Sequence, residues 1–98
     1  MKLPELTVLQ FYVLDSIGTG VRSASQIMQA LKECGEERDP SAFYQLMARM
    51  MKAKLVTGRI RSKVFDRRHY RERFYLISKT GVKRYNEAVE FYAGKQKI

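Results

Sequence analysis

Apolar side chains recur at intervals of three and four through the first half of the chain, alternate with polar ones in the third quarter, and return to helical spacing near the C-terminus. Intervals of three and four gather side chains on one helix face, whereas alternation gathers them on one face of a strand. Leu6, Leu9, Val13 and Ile17 form the first helical set; Pro4 suits its first turn, and Gly18 and Gly20 end it. Val8, Phe11, Tyr12 and Leu14 add a second apolar set, so this helix is apolar around most of its circumference, which one packing face cannot explain. Ser23 and Gln26 have the spacing of a capping box and start a second helix, with Ile27, Ala30, Leu31 and Cys34 turned inward and Gly35 as its stop. Cys34 is therefore expected to be a buried core thiol. Asp39 as N-cap and Pro40 in the first turn open a third helix, with Phe43, Leu46, Met47 and Met50 facing the core. Its opposite face carries Tyr44, Gln45, Ala48, Arg49 and Lys52 and no acidic residue.

Leu55 to Arg61 and Tyr70 to Ile77 are rich in strand formers with stretches of alternation. The segment between them, Ser62-Lys63-Val64-Phe65-Asp66-Arg67-Arg68-His69, reads as the basic tip of a long hairpin. Ser78 then caps a last helix, in which Val82, Tyr85, Val89 and Tyr92 follow helical spacing until Gly94. The fold class that follows is α+β, mostly α: a winged helix-turn-helix of three helices, a two-stranded β wing and a C-terminal helix. Residues 1–94 form one domain and residues 95–98 a fraying tail. In helix-turn-helix proteins the second helix of the motif enters the major groove, a role that falls here to the helix opened by Pro40.

Charge sharpens this picture because it is unevenly distributed. The 98 residues carry a net charge of +9. Residues 1–50 hold 5 basic and 6 acidic side chains, and residues 51–98 hold 14 basic and 4 acidic ones. Such concentration of positive charge selects a polyanionic partner. Residues 59–73 contain six arginines and one lysine (Arg59, Arg61, Lys63, Arg67, Arg68, Arg71 and Arg73) against Asp66 and Glu72. A two-stranded ribbon fits a groove of DNA, and the guanidinium fork matches phosphate oxygens and guanine edges. Lysine would serve solubility equally well, so the preference for arginine favours binding. The expected partner is double-stranded DNA. The expected contacts are Ser41, Tyr44, Gln45, Arg49 and Lys52 on the third helix and Arg59, Arg61, Lys63, Arg67, Arg68, His69 and Arg71 on the wing.

Catalytic chemistry has little to work with. One His and one Cys cannot supply an ordinary Cys/His metal site, and Gly18 and Gly20 read as a turn rather than a phosphate cradle. Neither an enzyme activity nor a cofactor or metal is expected. The N-terminus lacks the pattern of a secretory signal, no apolar run suits a bilayer, and a lone cysteine suits a reducing compartment, so a cytoplasmic, nucleoid-associated location is expected.

Two segments resemble a known family. Ser41-Ala42-Phe43-Tyr44-Gln45-Leu46-Met47-Ala48-Arg49-Met50, followed by Leu55-Val56, is similar to the recognition-helix signature of PadR-like transcriptional regulators. Phe74-Tyr75-Leu76-Ile77-Ser78-Lys79-Thr80-Gly81 is similar to that family's second signature. Gln45 and Lys54 stand where the family has a proline and a glycine. The resemblance implies a dimeric winged-helix repressor with Tyr44 and Arg49 at the DNA. Surplus apolar surface points the same way: Val8, Phe11 and Tyr12 on the first helix and Tyr85, Val89 and Tyr92 on the last are expected at a homodimer interface. Two other readings stay open at this level. The fold could serve as a protein-interaction module in a larger assembly, with the first helix as its surface, or the hairpin could bind an RNA duplex. No small-molecule effector is readable from the residues.

Overall fold

A computed structural model describes residues 6–93, without the side chains of Lys63, Phe65, Tyr92 and Ala93. The expectations for Pro4, Gly94 and residues 95–98 lie outside the described residues. The elements run α1 (Val8–Ile17), β1 (Val21–Ser23), α2 (Ala24–Glu33), α3 (Pro40–Lys52), β2 (Val56–Phe65), β3 (Arg68–Ile77) and α4 (Lys79–Ala93).

Local chemistry explains the helix starts. Thr7 and Gln10 form a capping box at α1, and Ser23 and Gln26 form the equivalent box at α2. Asp39 accepts from the Ala42 amide at 2.8 Å, and Pro40 follows in the first turn of α3. The first helix thus begins at Val8 rather than near Pro4, because Thr7 supplies the cap. Cys34 also departs from expectation: it is the C-cap of α2 and exposed. The helix ends one residue too early for the inner stripe to reach it, and Gly35, at φ 77°, turns the chain away.

The core gathers Val13, Leu14 and Ile17 of α1, Ile27 and Leu31 of α2, Phe43, Met47 and Met50 of α3, Val56 and Tyr75 of the sheet and Ala88 of α4. The circumferential apolarity of α1 has a structural cause, since α2, α4 and the sheet all pack against it.

The sheet has three strands rather than two, in the order β1-β3-β2 and antiparallel throughout. The added strand, Val21-Arg22-Ser23, pairs with Leu76-Tyr75-Phe74. Three residues between a glycine turn and a helix cap are too few to show an alternation, so the sequence pattern passed over them. The β2–β3 ladder runs without a break from Val56↔Ile77 to Phe65↔Arg68. The turn is therefore only Asp66-Arg67, both at positive φ (50° and 61°), the geometry of a tight two-residue hairpin. Strands of ten residues span about 33 Å, and the projecting hairpin accounts for a long axis of 55 Å against 27 and 23 Å.

Candidate nucleic-acid interface

Because α3 buries Phe43, Leu46, Met47 and Met50, the helix period turns Ser41, Tyr44, Gln45, Ala48, Arg49 and Lys52 outward, and all six are exposed. No acidic side chain lies within the helix. The chain leaves α3 through Ala53 and then Lys54, which takes the left-handed conformation (φ 61°). A lysine here adopts the backbone geometry that a glycine would favour.

The ladder register sorts the wing residues onto two faces, since directly paired residues of an antiparallel sheet point the same way. Tyr75, buried against the helices, marks the inner face. Gly58, Ile60, Ser62 and Val64 of β2 share that face with His69, Arg71 and Arg73 of β3. Arg59 and Arg61 share the outer face with Phe74, Glu72 and Tyr70, and the Arg61 guanidinium lies 5.7 Å from the Phe74 ring centre. The structure therefore brings Arg71 and His69 to the side of the wing that faces α3 and sends Arg59 and Arg61 to the other. Arg67 sits in the turn and Arg68 directly after it, both exposed. Lys63 pairs with Tyr70 in the ladder; its side chain lies outside the described residues.

Arg73 was counted in the basic run but not among the expected contacts. It joins the wing to α3 beside the Met51–Gly58 packing: its guanidinium lies 5.2 Å from the centre of the Tyr44 ring. Tyr44 in turn sets its ring edgewise against the buried Phe43, with centres 5.4 Å apart. Beneath Arg73 lies the Tyr75 phenol; burial raises its pKa above the ordinary tyrosine value, and the hydrogen bond and charge of Arg73 oppose that rise. Gly58 makes the packing feasible, because a Cβ there would stand 3.2 Å from the Met51 sulfur and 3.3 Å from the Tyr75 ring. Alternation along β3 puts residues 69, 71, 73 and 75 on one face, but nothing in a sequence reports the distance from that face to Tyr44.

At the opposite end of the molecule, Phe11 of α1 stacks on Tyr85 of α4, with ring centres 5.0 Å apart and planes 6° from parallel. The Tyr85 hydroxyl donates to Asp15 at 2.7 Å. Partial burial, that hydrogen bond and the nearby carboxylate raise its pKa to about 12. Val89 is buried within the chain and Tyr12 half-buried against the core. Much of the surface expected at an interface is thus covered inside one chain. Val8 and Val82 stay exposed, at 52% and 43%. The Tyr92 side chain lies outside the described residues. A groove of about 570 Å³ runs along α4 past Val82, Tyr85, Asn86 and Val89. Among the described residues, no three His, Cys, Asp or Glu side chains gather as a metal site would require, and no helix is long and apolar enough to cross a membrane.

Three helices, a short strand and a long hairpin rooted against them define a winged helix. Comparison with solved structures specifies the type. H. salinarum RosR matches over 93% of this chain and 77% of its own, with a TM-score of 0.72 and 22% identity. Bacillus subtilis PadR, solved in complex with operator DNA, matches over 94% of this chain with a TM-score of 0.65 and 19% identity; this chain spans 50% of that protein. The circadian clock associated protein Pex from Anabaena matches over 88% of this chain and 78% of its own, with a TM-score of 0.57 and 17% identity. No protein-family model and no curated protein matches the sequence. The fold is a PadR-like winged helix.

Proposed function

We propose that this chain is a DNA-binding transcriptional regulator that acts as a homodimer, reading the major groove with α3 and gripping the backbone with its arginine-rich wing. One observation carries the reading: the exposed, acid-free face of α3 adjoins the wing face bearing Arg71 and Arg73, so one continuous basic surface extends from helix to hairpin. Such a surface suits the uniform charge of a duplex backbone, while Gln45 and Arg49 have the donors and acceptors that adenine and guanine edges require. The solved complex of the PadR neighbour with operator DNA supports the same use of the fold. Repression is the sense of regulation implied by the resemblance in the two signature segments.

The homodimer reading draws on Val8, Val82 and the α4 groove. Along α4 the bases Lys79, Lys83 and Arg84 precede the acids Glu87 and Glu90, and Arg84 already pairs with Glu87 at 3.1 Å. Two copies of α4 laid antiparallel about a two-fold axis would bring lysines against acids while covering Val82. A pair of recognition helices about one helical turn apart then suits a palindromic site.

The test is titration of a random duplex by gel shift at two salt concentrations. Binding that weakens steeply with salt, by about 0.9 in log–log slope for each phosphate contact, is the expected result. Absence of duplex binding at the lower salt would overturn the reading.

A further inference from the structure

The wing is long and attached only at its base. From Ile60 toward the turn its inner face is exposed, as is every residue from Asp66 to Arg71. A hairpin held this way could swing independently of the body, and wing and helix would then meet DNA as separate events. The contact between Arg73 and Tyr44 stands where that freedom would begin. Arg73, paired with Ile60, is the first exposed inner-face residue of β3 beyond the buried Tyr75, and Tyr44 is an exposed member of the α3 face.

The two side chains are unusually well held for surface residues. Tyr44 is fixed along its edge by Phe43, which is itself fully buried, and its face receives the Arg73 guanidinium. Arg73 also stands near enough to the Tyr75 phenol for its charge to act on that group. A guanidinium over the face of a ring can keep N–H groups for other acceptors. A guanidinium held this way is aimed by the ring and not by a carboxylate.

We propose that Arg73 is a positioning residue that latches the wing to the recognition helix through the Tyr44 ring, so that wing docking and base reading occur as one event. The proposal rests on the DNA-binding reading above and adds to it a source of specificity. With the latch closed, phosphate contacts made by Arg71 and the turn residues fix the register of Gln45 and Arg49 on the bases. With it open, those phosphate contacts form equally well on any sequence and no longer orient α3. Charge at position 73 alone would not do this, because the ring must be present to receive it.

Two measurements test the latch, one without DNA. In the free protein the Tyr44 ring current should shift the Arg73 side-chain proton resonances upfield; Tyr44→Phe should keep that shift and Tyr44→Leu should abolish it. Absence of the shift in the wild type overturns the latch whatever the DNA results. The second measurement compares binding to a duplex selected from a random pool with binding to a scrambled duplex. Arg73→Lys keeps the charge but stacks poorly, and should weaken selected-site binding by about fivefold, with scrambled binding changed by less than about twofold. Tyr44→Leu should reduce the ratio similarly, Tyr44→Phe, which keeps the ring, should lose less of it than Tyr44→Leu, and adding Arg73→Lys to Tyr44→Leu should cause no further loss of ratio. Equal weakening on both duplexes, or full additivity of the two losses, overturns the coupling and leaves Arg73 an ordinary phosphate contact. Failure of the wild type to bind any duplex instead overturns the functional reading and the coupling together, and the proton shifts then report separately whether the contact exists. Each variant is also melted, so that a loss of folding is not taken for a loss of ratio.

Discussion

Arg67 occupies a position whose backbone favours another residue. Both turn residues have positive φ, 50° at Asp66 and 61° at Arg67, and a two-residue hairpin of this kind is best served by Asp-Gly. A side chain in the left-handed region costs roughly 1–2 kcal/mol, and the greater freedom of glycine in the unfolded chain takes back about 0.5–1 kcal/mol. Arg67→Gly should therefore stabilise the hairpin by about 0.5–1 kcal/mol. Such a gain should slow hydrogen exchange of the wing-tip amides by about two- to fivefold while leaving the helices unchanged. Binding should move in the opposite direction. Loss of one phosphate contact lowers the log–log salt slope by about 0.9, equivalent to about fivefold weaker binding at roughly 150 mM salt and about fifteenfold at roughly 50 mM. Amide exchange by NMR and a salt titration of duplex affinity measure the two effects in one variant. A better-ordered turn with an unchanged slope would refute the role given to the wing tip; a less stable turn would refute the strain argument.

Other substitutions probe the remaining parts of the surface. Gln45→Ala and Arg49→Ala should each cost about 1–3 kcal/mol of discrimination between a selected and a scrambled duplex, measured by competition binding, with scrambled affinity nearly unchanged. Sedimentation equilibrium at micromolar concentration should give twice the chain mass of 11.5 kDa, and Val82→Glu should return it to one; a wild-type monomer would remove the dimer. Tyr85, with its pKa raised from 10.0 to about 12, binds its proton more tightly when folded, so its contribution is complete below pH 10 and disappears as pH rises through 12. Urea unfolding of the wild type should thus lose more stability across that window than Tyr85→Phe, which has no phenolic proton to lose.

The helices were legible because their signals are local. Capping residues at Ser23 and Asp39 and the stripe Phe43-Leu46-Met47-Met50 say where α2 and α3 begin and which side of α3 is buried. The basic hairpin was legible for the same reason, since strand alternation and arginine content are both read over a dozen neighbouring residues. What escaped depends on distance in space. Strand β1 exists only because β3 offers an edge to Val21–Ser23. Phe11 and Tyr85 looked like surplus surface until α1 and α4 proved to stack them together. The division of the wing arginines between two faces needed the ladder register, and the place of Arg73 needed Tyr44 beside it. Cys34 shows the opposite limit: its spacing continues the inner stripe, but the helix stops beneath it.

If two copies pair through α4, the junction between β3 and α4 sets the spacing of their α3 helices. The chain leaving α3 offers its Leu55 carbonyl to the Ser78 amide at 3.0 Å, and the Ser78 hydroxyl donates to the Lys54 carbonyl. That same hydroxyl caps α4 by accepting from the Gly81 amide at 3.0 Å. Gly81 completes the joint, because a Cβ there would stand 2.1 Å from the Leu55 oxygen and 2.8 Å from Ile77 Cγ1. A carbon–oxygen contact needs about 3.3 Å, so Gly81→Ala must move α4 away from the turn after α3 by about 1 Å. Such overpacking should cost about 1–3 kcal/mol in urea unfolding. Gly20→Ala is the control, since a Cβ there meets nothing within 4 Å, and it should be nearly neutral. If α4 carries the dimer contact, the same shift is transmitted to the separation of the two α3 helices. Wild-type protein should then prefer one spacing between two half-sites, near one helical turn, and Gly81→Ala should flatten or displace that preference. A Gly81→Ala variant with wild-type stability would refute the packing argument. A folded one with the wild-type spacing preference would show that α4 does not fix the distance between the recognition helices.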